Sequence, residues 1–280
     1  MNRSELMNRK QRIVIKVGSS TLTHPETGAM NLTKMERLVR ILADIRNSGR
    51  DVVLVSSGAI AVGRKAMNIT ERPKEQDLKQ ACAAIGQSRL MMVYQRLFAE
   101  YNKITAQVLI TKDTMIQDTM RRNARSTFMK LLEMGTIPVV NENDTVATDE
   151  IEFGDNDTLS AIVAALIHAD LLIILSDQDG FFTADPRKDP DAKLVEEITF
   201  ITDELEAMAG GAGSDVGTGG MAAKVSAARI ANDAGADMVI ANGNDMNNIT
   251  RVLEGQNVGT LFRAHRNENF HLIDYLRKER

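Results

Sequence analysis

The feature that most narrows the fold of this 280-residue chain is a regular exchange between two kinds of apolar segment. Short β-branched runs stand at residues 12–17, 51–55, 104–110, 137–140, 171–175 and 238–241. They are nearly continuous in apolar residues and bounded by Gly, Asn, Asp or Ser, as strands covered on both faces are. Between them lie longer stretches at 33–47, 75–101, 119–134, 158–168 and 220–234, with aliphatic residues at three- and four-residue spacing. That is the period of a helix buried along one side. The alternation predicts an α/β protein with a mostly parallel sheet and helices on both faces. Residues 146–153 (VATDEIEF) alternate and are too short for a crossover, so a β-hairpin excursion is expected there, and a second at 198–200. The glycine-rich run 210–220 reads as a loop within a domain, and 263–280 as a terminal helix or a frayed tail.

Composition removes several classes. Apolar residues make up 43% and charged residues 26%, which excludes a disordered or fibrous chain. With 34 basic and 38 acidic residues the net charge is −4, so bulk charge points to no nucleic-acid partner. Cys82 is the one cysteine, which excludes an intramolecular disulfide and fits a reducing, cytoplasmic setting. The polar start carries no signal-peptide pattern, and the longest apolar stretch, 161–175, is broken by His168 and Asp170. No membrane span is expected from it.

In parallel sheets the ligand crevice lies beyond the carboxyl ends of the strands. Those ends read KVGSS (16–20), SSGAI (56–60), NEND (141–144) and SDQDG (176–180), with GDND (154–157) opening a helix. Glycine and serine at a strand-to-helix turn serve either as a tight turn or as an anion site of free N–H groups. Lys16 sits inside an apolar run, so it either snorkels out or points into a site. Lys224, one turn into a helix, reads from position alone as a solvated lysine. In GDND, Asp and Asn are natural helix caps, yet three such groups in succession invite a second role. Walker A, EF-hand, zinc and GxSxG spacings are all missing. A GxGxxA match at 217–222 follows no expected strand.

Taken in order, the segments IVIKVGSSTLT, VVLVSSGAIAVG, QACAAIGQSRLM, IPVVNENDTVAT, FGDNDTLSA, LSDQDGFFTADPR, GTGGMAAK and VGTLF resemble the amino acid kinase family. NENDTVAT, GDNDTLSA and SDQDGFFTADPR resemble most its glutamate-phosphorylating branch. The resemblance spans residues 12–262 and implies the family's three-layer αβα sandwich, with a glutamate-binding lobe to about 169 and a nucleotide-binding lobe to about 262. Residues 1–11 would be an N-terminal extension. The chain stops where many members carry a PUA-like domain, so a short form or a truncation is expected.

The resemblance also implies roles. Ser57, Gly58, Asp144 and Asn156 would hold the amino acid, with Asp155 beside them. Ser176 and Asp177 would contact the nucleotide. Thr218, Gly219, Gly220, Met221, Ala222, Ala223 and Lys224, together with Lys16, would line its phosphates. Lys16 and Lys224 would reach the transferring phosphoryl group from either side, with Asp157 orienting both. ATP would be the co-substrate, with Mg2+ riding mainly on its phosphates and no protein metal ligand. L-glutamate would be the acceptor and proline an inhibitor at the same pocket. A homodimer or homotetramer and hand-off to glutamyl phosphate reductase complete what the resemblance implies. Acetylglutamate, aspartate or uridylate as acceptor, and a ligand sensor without turnover, stay open as alternatives.

Overall fold

A computed structural model describes residues 2–71, 73–146, 155–210 and 220–278. The elements begin with α1 (Arg3–Asn8), β1 (Arg12–Val17), α2 (Ser19–Leu22), α3 (Leu32–Asn47), β2 (Asp51–Ser56), α4 (Ala59–Ala66) and α5 (Gln76–Ala99). They continue with β3 (Thr105–Ile110), α6 (Lys112–Ile116), α7 (Asp118–Glu133), β4 (Ile137–Glu142), α8 (Asn156–Leu166) and β5 (Leu171–Ser176). The last are β6 (Glu197–Ile198), α9 (Asp203–Gly210), α10 (Met221–Ala234), β7 (Asp237–Asn242), α11 (Asn247–Leu253), β8 (Thr260–Phe262) and α12 (Leu272–Lys278). All six expected strands and five expected helices are present, each bound within two residues of the reading above. The pairings are mostly parallel, as expected, and the core is mostly aliphatic.

Two compact units divide the chain, Met1–Lys16 with Gly154–Arg280, and Val17–Phe153. In the first, the strand order is β1-β5-β7-β8-β6. β5 pairs in parallel with β7 from Leu171↔Asp237 to Ser176↔Asn242. β5 is buried at every residue, which explains its unbroken apolar sequence. In the second unit the order is β3-β4-β2, with β4 parallel to both neighbours. β3 lies at the end of that order and is the least buried of the three, so its sequence tolerates Thr105 and Gln107. The units part between residues 153 and 154, and α8 packs against α10 and β5.

Several expectations change. Residues 198–200 form no hairpin: Glu197–Ile198 is a short strand parallel to β8, with Glu197↔Leu261 and Ile198↔Phe262. β8, only three residues long, turns antiparallel to β7 and offers too little pattern to read. The N-terminal residues form α1. Asn2 and Glu5 form a reciprocal capping box on α1, Leu6 and Met7 are buried, and Arg3 donates to Val258 O at 2.7 Å. Of the two readings of the tail, the helix holds: α12 buries Leu276, and the Tyr275 hydroxyl donates to Asp233. Gly210 ends α9 rather than opening a loop, and 211–219 lie outside the described residues. The hairpin expected at 146–153 falls outside them too, except for Val146.

Candidate active site

The site grows from one buried helix turn. Beyond its first turn α8 is apolar but for Ser160, and every residue from Asp157 to Leu166 is buried. A helix with so little polar surface sits inside the protein, and its first turn goes in with it. That turn carries two acids with separate tasks. Asp155 is the N-cap, its carboxylate accepting from Thr158 N at 2.7 Å. Asp157 is thereby left for side-chain partners. Its Oδ1 lies 2.6 Å from Lys16 Nζ and its Oδ2 accepts from Lys224 Nζ at 3.1 Å. The Lys16 contact lacks hydrogen-bond alignment and is a contact of charge.

Asp157 is 0% exposed, Lys16 8% and Lys224 6%. Lys16 therefore points inward from the buried end of β1 and does not snorkel. Lys224 departs from the solvated lysine that position alone suggests, because α10 packs against α8 and turns that face inward. Two ammonium groups share one carboxylate, so the triad itself carries one net positive charge in a buried place. Burying unmatched charge is costly, and an anionic ligand relieves that cost. Beside the triad, burial raises the proton affinity of Asp155, against the opposing pull of the Thr158 N–H.

Gly220 is the N-cap of α10 and brings no side-chain cap, so the first-turn N–H groups are left to another acceptor. Met221, Ala222 and Ala223 form that turn. Thr218 and Gly219 lie outside the described residues. At the end of β5, the Ser176 hydroxyl donates to Asp177 Oδ1 at 3.1 Å and accepts from Gln178 N at 3.3 Å. Ser176 is buried and Asp177 exposed. Strand register places Asn242 beside Ser176, and the Asn242 amide donates to Asp179 at 2.7 Å. Asn242 was not singled out from sequence. Its signal is an apolar run closing on Asn-Gly.

In the other unit, Gly58 is the N-cap of α4 with φ of 103°, a left-handed conformation that favours glycine. Ser57 N donates to Val17 O at 3.1 Å, so this turn is tied to the one after β1. A Cβ on Gly58 would lie 3.5 Å from Ser19 Cβ. Asp144 is half-buried two residues past β4, where Asn143 N donates to Ile110 O at 2.9 Å. The expected amino-acid contacts thus divide between the units: Ser57, Gly58 and Asp144 in one, Asp155 and Asn156 in the other. Among the described residues, no group of three or more His, Cys, Asp or Glu side chains is arranged to hold a metal ion. No helix among them is long and apolar enough to cross a membrane.

Residues 11–242 match the model of the amino acid kinase family. A glutamate 5-kinase from Carboxydothermus hydrogenoformans is 54% identical over 92% of this chain and 69% of its own length. A glutamate 5-kinase from Clostridium perfringens is 50% identical over 92% of this chain and 97% of its own. Among solved structures, UMP kinase from Bacillus anthracis superposes with a TM-score of 0.62 at 16% identity, covering 92% of this chain and 97% of that one. Isopentenyl phosphate kinase from T. acidophilum does so with a TM-score of 0.61 at 17% identity, covering 90% and 100%. These two likenesses concern the fold alone.

Proposed function

The chain belongs to the amino acid kinase family, and we propose that it transfers the terminal phosphoryl group of ATP to the side-chain carboxylate of L-glutamate, giving L-glutamyl 5-phosphate and ADP, the first step of proline synthesis. The observation that carries the reaction type is the buried Lys16–Asp157–Lys224 triad with its net positive charge. The acceptor follows from relatives that are about half identical over nine-tenths of the chain and carry the name glutamate 5-kinase.

A carboxylate nucleophile has a free pKa near ~4.3 and is ionised at neutral pH. The reaction needs no general base, which fits a site built from lysines and backbone N–H groups. A γ-carboxylate oxygen of glutamate forms a bond to the terminal phosphorus. The bond from that phosphorus to the bridging oxygen breaks, and ADP leaves with the electron pair. The obstacles are repulsion between anions and alignment for in-line attack. Lys16 and Lys224 counter the repulsion as point charges, and Asp157 holds both ammonium groups in place. The first turn of α10, together with Ser176 and Asp177, holds the nucleotide. Ser57, Gly58, Asp144 and Asn156, with Asp155 beside them, hold the amino acid. Mg2+ would ride mainly on phosphate oxygens, where it screens charge. Proline competing for the amino-acid pocket, a homo-oligomeric state, delivery of the acyl phosphate to a reductase and a cytoplasmic setting belong to the same reading.

The test is ADP release from ATP with L-glutamate, with and without hydroxylamine, run beside acetylglutamate, aspartate and UMP. Glutamate-dependent ADP release together with a hydroxamate product is expected. Turnover confined to another acceptor, or none with any, overturns the reading.

A further inference from the structure

The long helix α5 supplies no residue to the chemistry above, yet it spends two buried polar side chains on the strand ends that lead into the amino-acid contacts. Gln87 and Tyr94 are seven residues apart, two turns along one face. The Tyr94 hydroxyl lies 2.9 Å from Ser56 Oγ, and both residues are buried. The Gln87 carbonyl accepts from Asn141 Nδ2 at 3.1 Å, again between buried residues. Ser56 ends β2 and directly precedes Ser57 and Gly58. Asn141 lies at the end of β4, three residues before Asp144. The two strands run parallel with Val55 opposite Val140, so Ser56 and Asn141 are the next residues of each.

The helix is fixed in place by direct backbone contact. A Cβ at Gly86 would lie 1.7 Å from Ala59 O, and one at Gly63 would lie 1.8 Å from Cys82 O. No side chain fits at either point, so α4 and α5 touch through two glycines. α4 begins immediately after Gly58. The Ser57–Gly58 turn is therefore held from both sides, by Tyr94 on the strand before it and by α5 against the helix after it. A helix that only filled the core would place aliphatic groups at 87 and 94. A buried phenol or amide is costly unless its partner is fixed. Burial also holds the Tyr94 phenol in its protonated form, against a weaker opposing effect of the Ser56 hydrogen bond.

We infer that Tyr94 and Gln87 are positioning residues for the amino-acid substrate, setting the Ser57–Gly58 turn through Ser56 and the approach to Asp144 through Asn141. This rests on the assignment of glutamate as acceptor. Losing one net hydrogen bond that acts through a neighbour corresponds to roughly a five- to tenfold change in an apparent constant.

The experiment compares wild type with Tyr94→Phe, Ser56→Ala, the double variant and Gln87→Met, measuring glutamate KM, ATP KM, kcat and Tm in one ADP-release assay. Expected are a five- to tenfold rise in glutamate KM for each single variant and an ATP KM within about twofold of wild type. The double variant should be no worse than the poorer single, since both changes break one bond. An unchanged glutamate KM in folded Tyr94→Phe and Gln87→Met overturns the inference. So does an equal rise in both KM values with a fall in Tm, which marks general loosening. Gln87→Met decides the matter by itself if Tyr94→Phe does not fold. Wild type inactive on glutamate would remove the acceptor assignment and this inference with it, whereas active wild type with flat variants removes the inference alone.

Discussion

The unit that contains α8 and α10 buries a cluster of charge, and the unit that contains β2 and β4 buries hydroxyls and amides at its strand ends. In the first, one carboxylate with 0% exposure faces two ammonium groups at 2.6 Å and 3.1 Å. In the second, Ser56 and Asn141 are held by Tyr94 and Gln87 through neutral hydrogen bonds of 2.9 Å and 3.1 Å. The difference matches two tasks. Charge acts over distance and relieves repulsion between anions, so it suits a moving phosphoryl group. Neutral hydrogen bonds are short-ranged and directional, so they suit recognition of one shape. Substitutions in the lysine–aspartate triad should therefore act mainly on kcat, and those at the β2 and β4 strand ends mainly on KM.

The largest effect is expected from Lys16→Ala and Lys224→Ala. Each should lower kcat by about 10² or more, because one preorganised charge is lost where charge moves. Stability should hold, since the remaining lysine and Asp157 form a matched pair. Steady-state kinetics with a thermal melt check both, and near-normal kcat in either folded variant would break the comparison.

Asp157→Asn should come next. It keeps the shape but leaves two buried ammonium groups without their carboxylate. Turnover should fall more than glutamate affinity, and unfolding should become easier by about 3 kcal/mol or more. A denaturant titration beside the kinetics reads both. A large rise in KM with kcat intact would move Asp157 to the substrate side.

Asp144→Asn, just past β4, should raise glutamate KM about tenfold and leave ATP KM alone. Proline should raise the apparent glutamate KM, and the same variant should alter proline sensitivity. Glutamate titrations at several proline concentrations test this. Inhibition that glutamate cannot relieve would reject a shared pocket.

The smallest effect concerns Asp155. Its folded proton affinity is raised, first by burial. An acid raised in this way favours the folded state below its unfolded pKa, and that contribution is lost as pH rises through the folded value. At neutral pH the fold bears the cost of the ionised form. Asparagine caps a helix as well as aspartate does. Asp155→Asn should thus raise Tm at pH 7 by a degree or so, with the gain fading below pH ~4. Melts across that pH range decide it.

Much of this architecture is legible in residue order. Runs such as RIVIKV and LLIILS are short, apolar and sharply bounded, because strands covered on both faces have no polar face to interrupt them. The elements that escaped are those too short to show a period, such as β6 and β8, or those stabilised from elsewhere. α1 has only six residues and is held by Arg3 on Val258, far along the chain. The GDND motif was legible as a cap with something added. Which acid caps and which faces the lysines depends on how α8 enters the core.

By itself the sequence determined the strand-and-helix alternation, the polar strand ends and the kinship with a kinase family, because local period and motif order are written in consecutive residues. Tertiary structure alone decided that Lys224 is buried, that Asp157 serves two lysines from different elements, and that α5 braces β2 and β4 through Tyr94 and Gln87. Those facts depend on distances between residues tens of positions apart. Burial and pairing arise when the chain closes on itself, and no local pattern encodes a buried charge's partner.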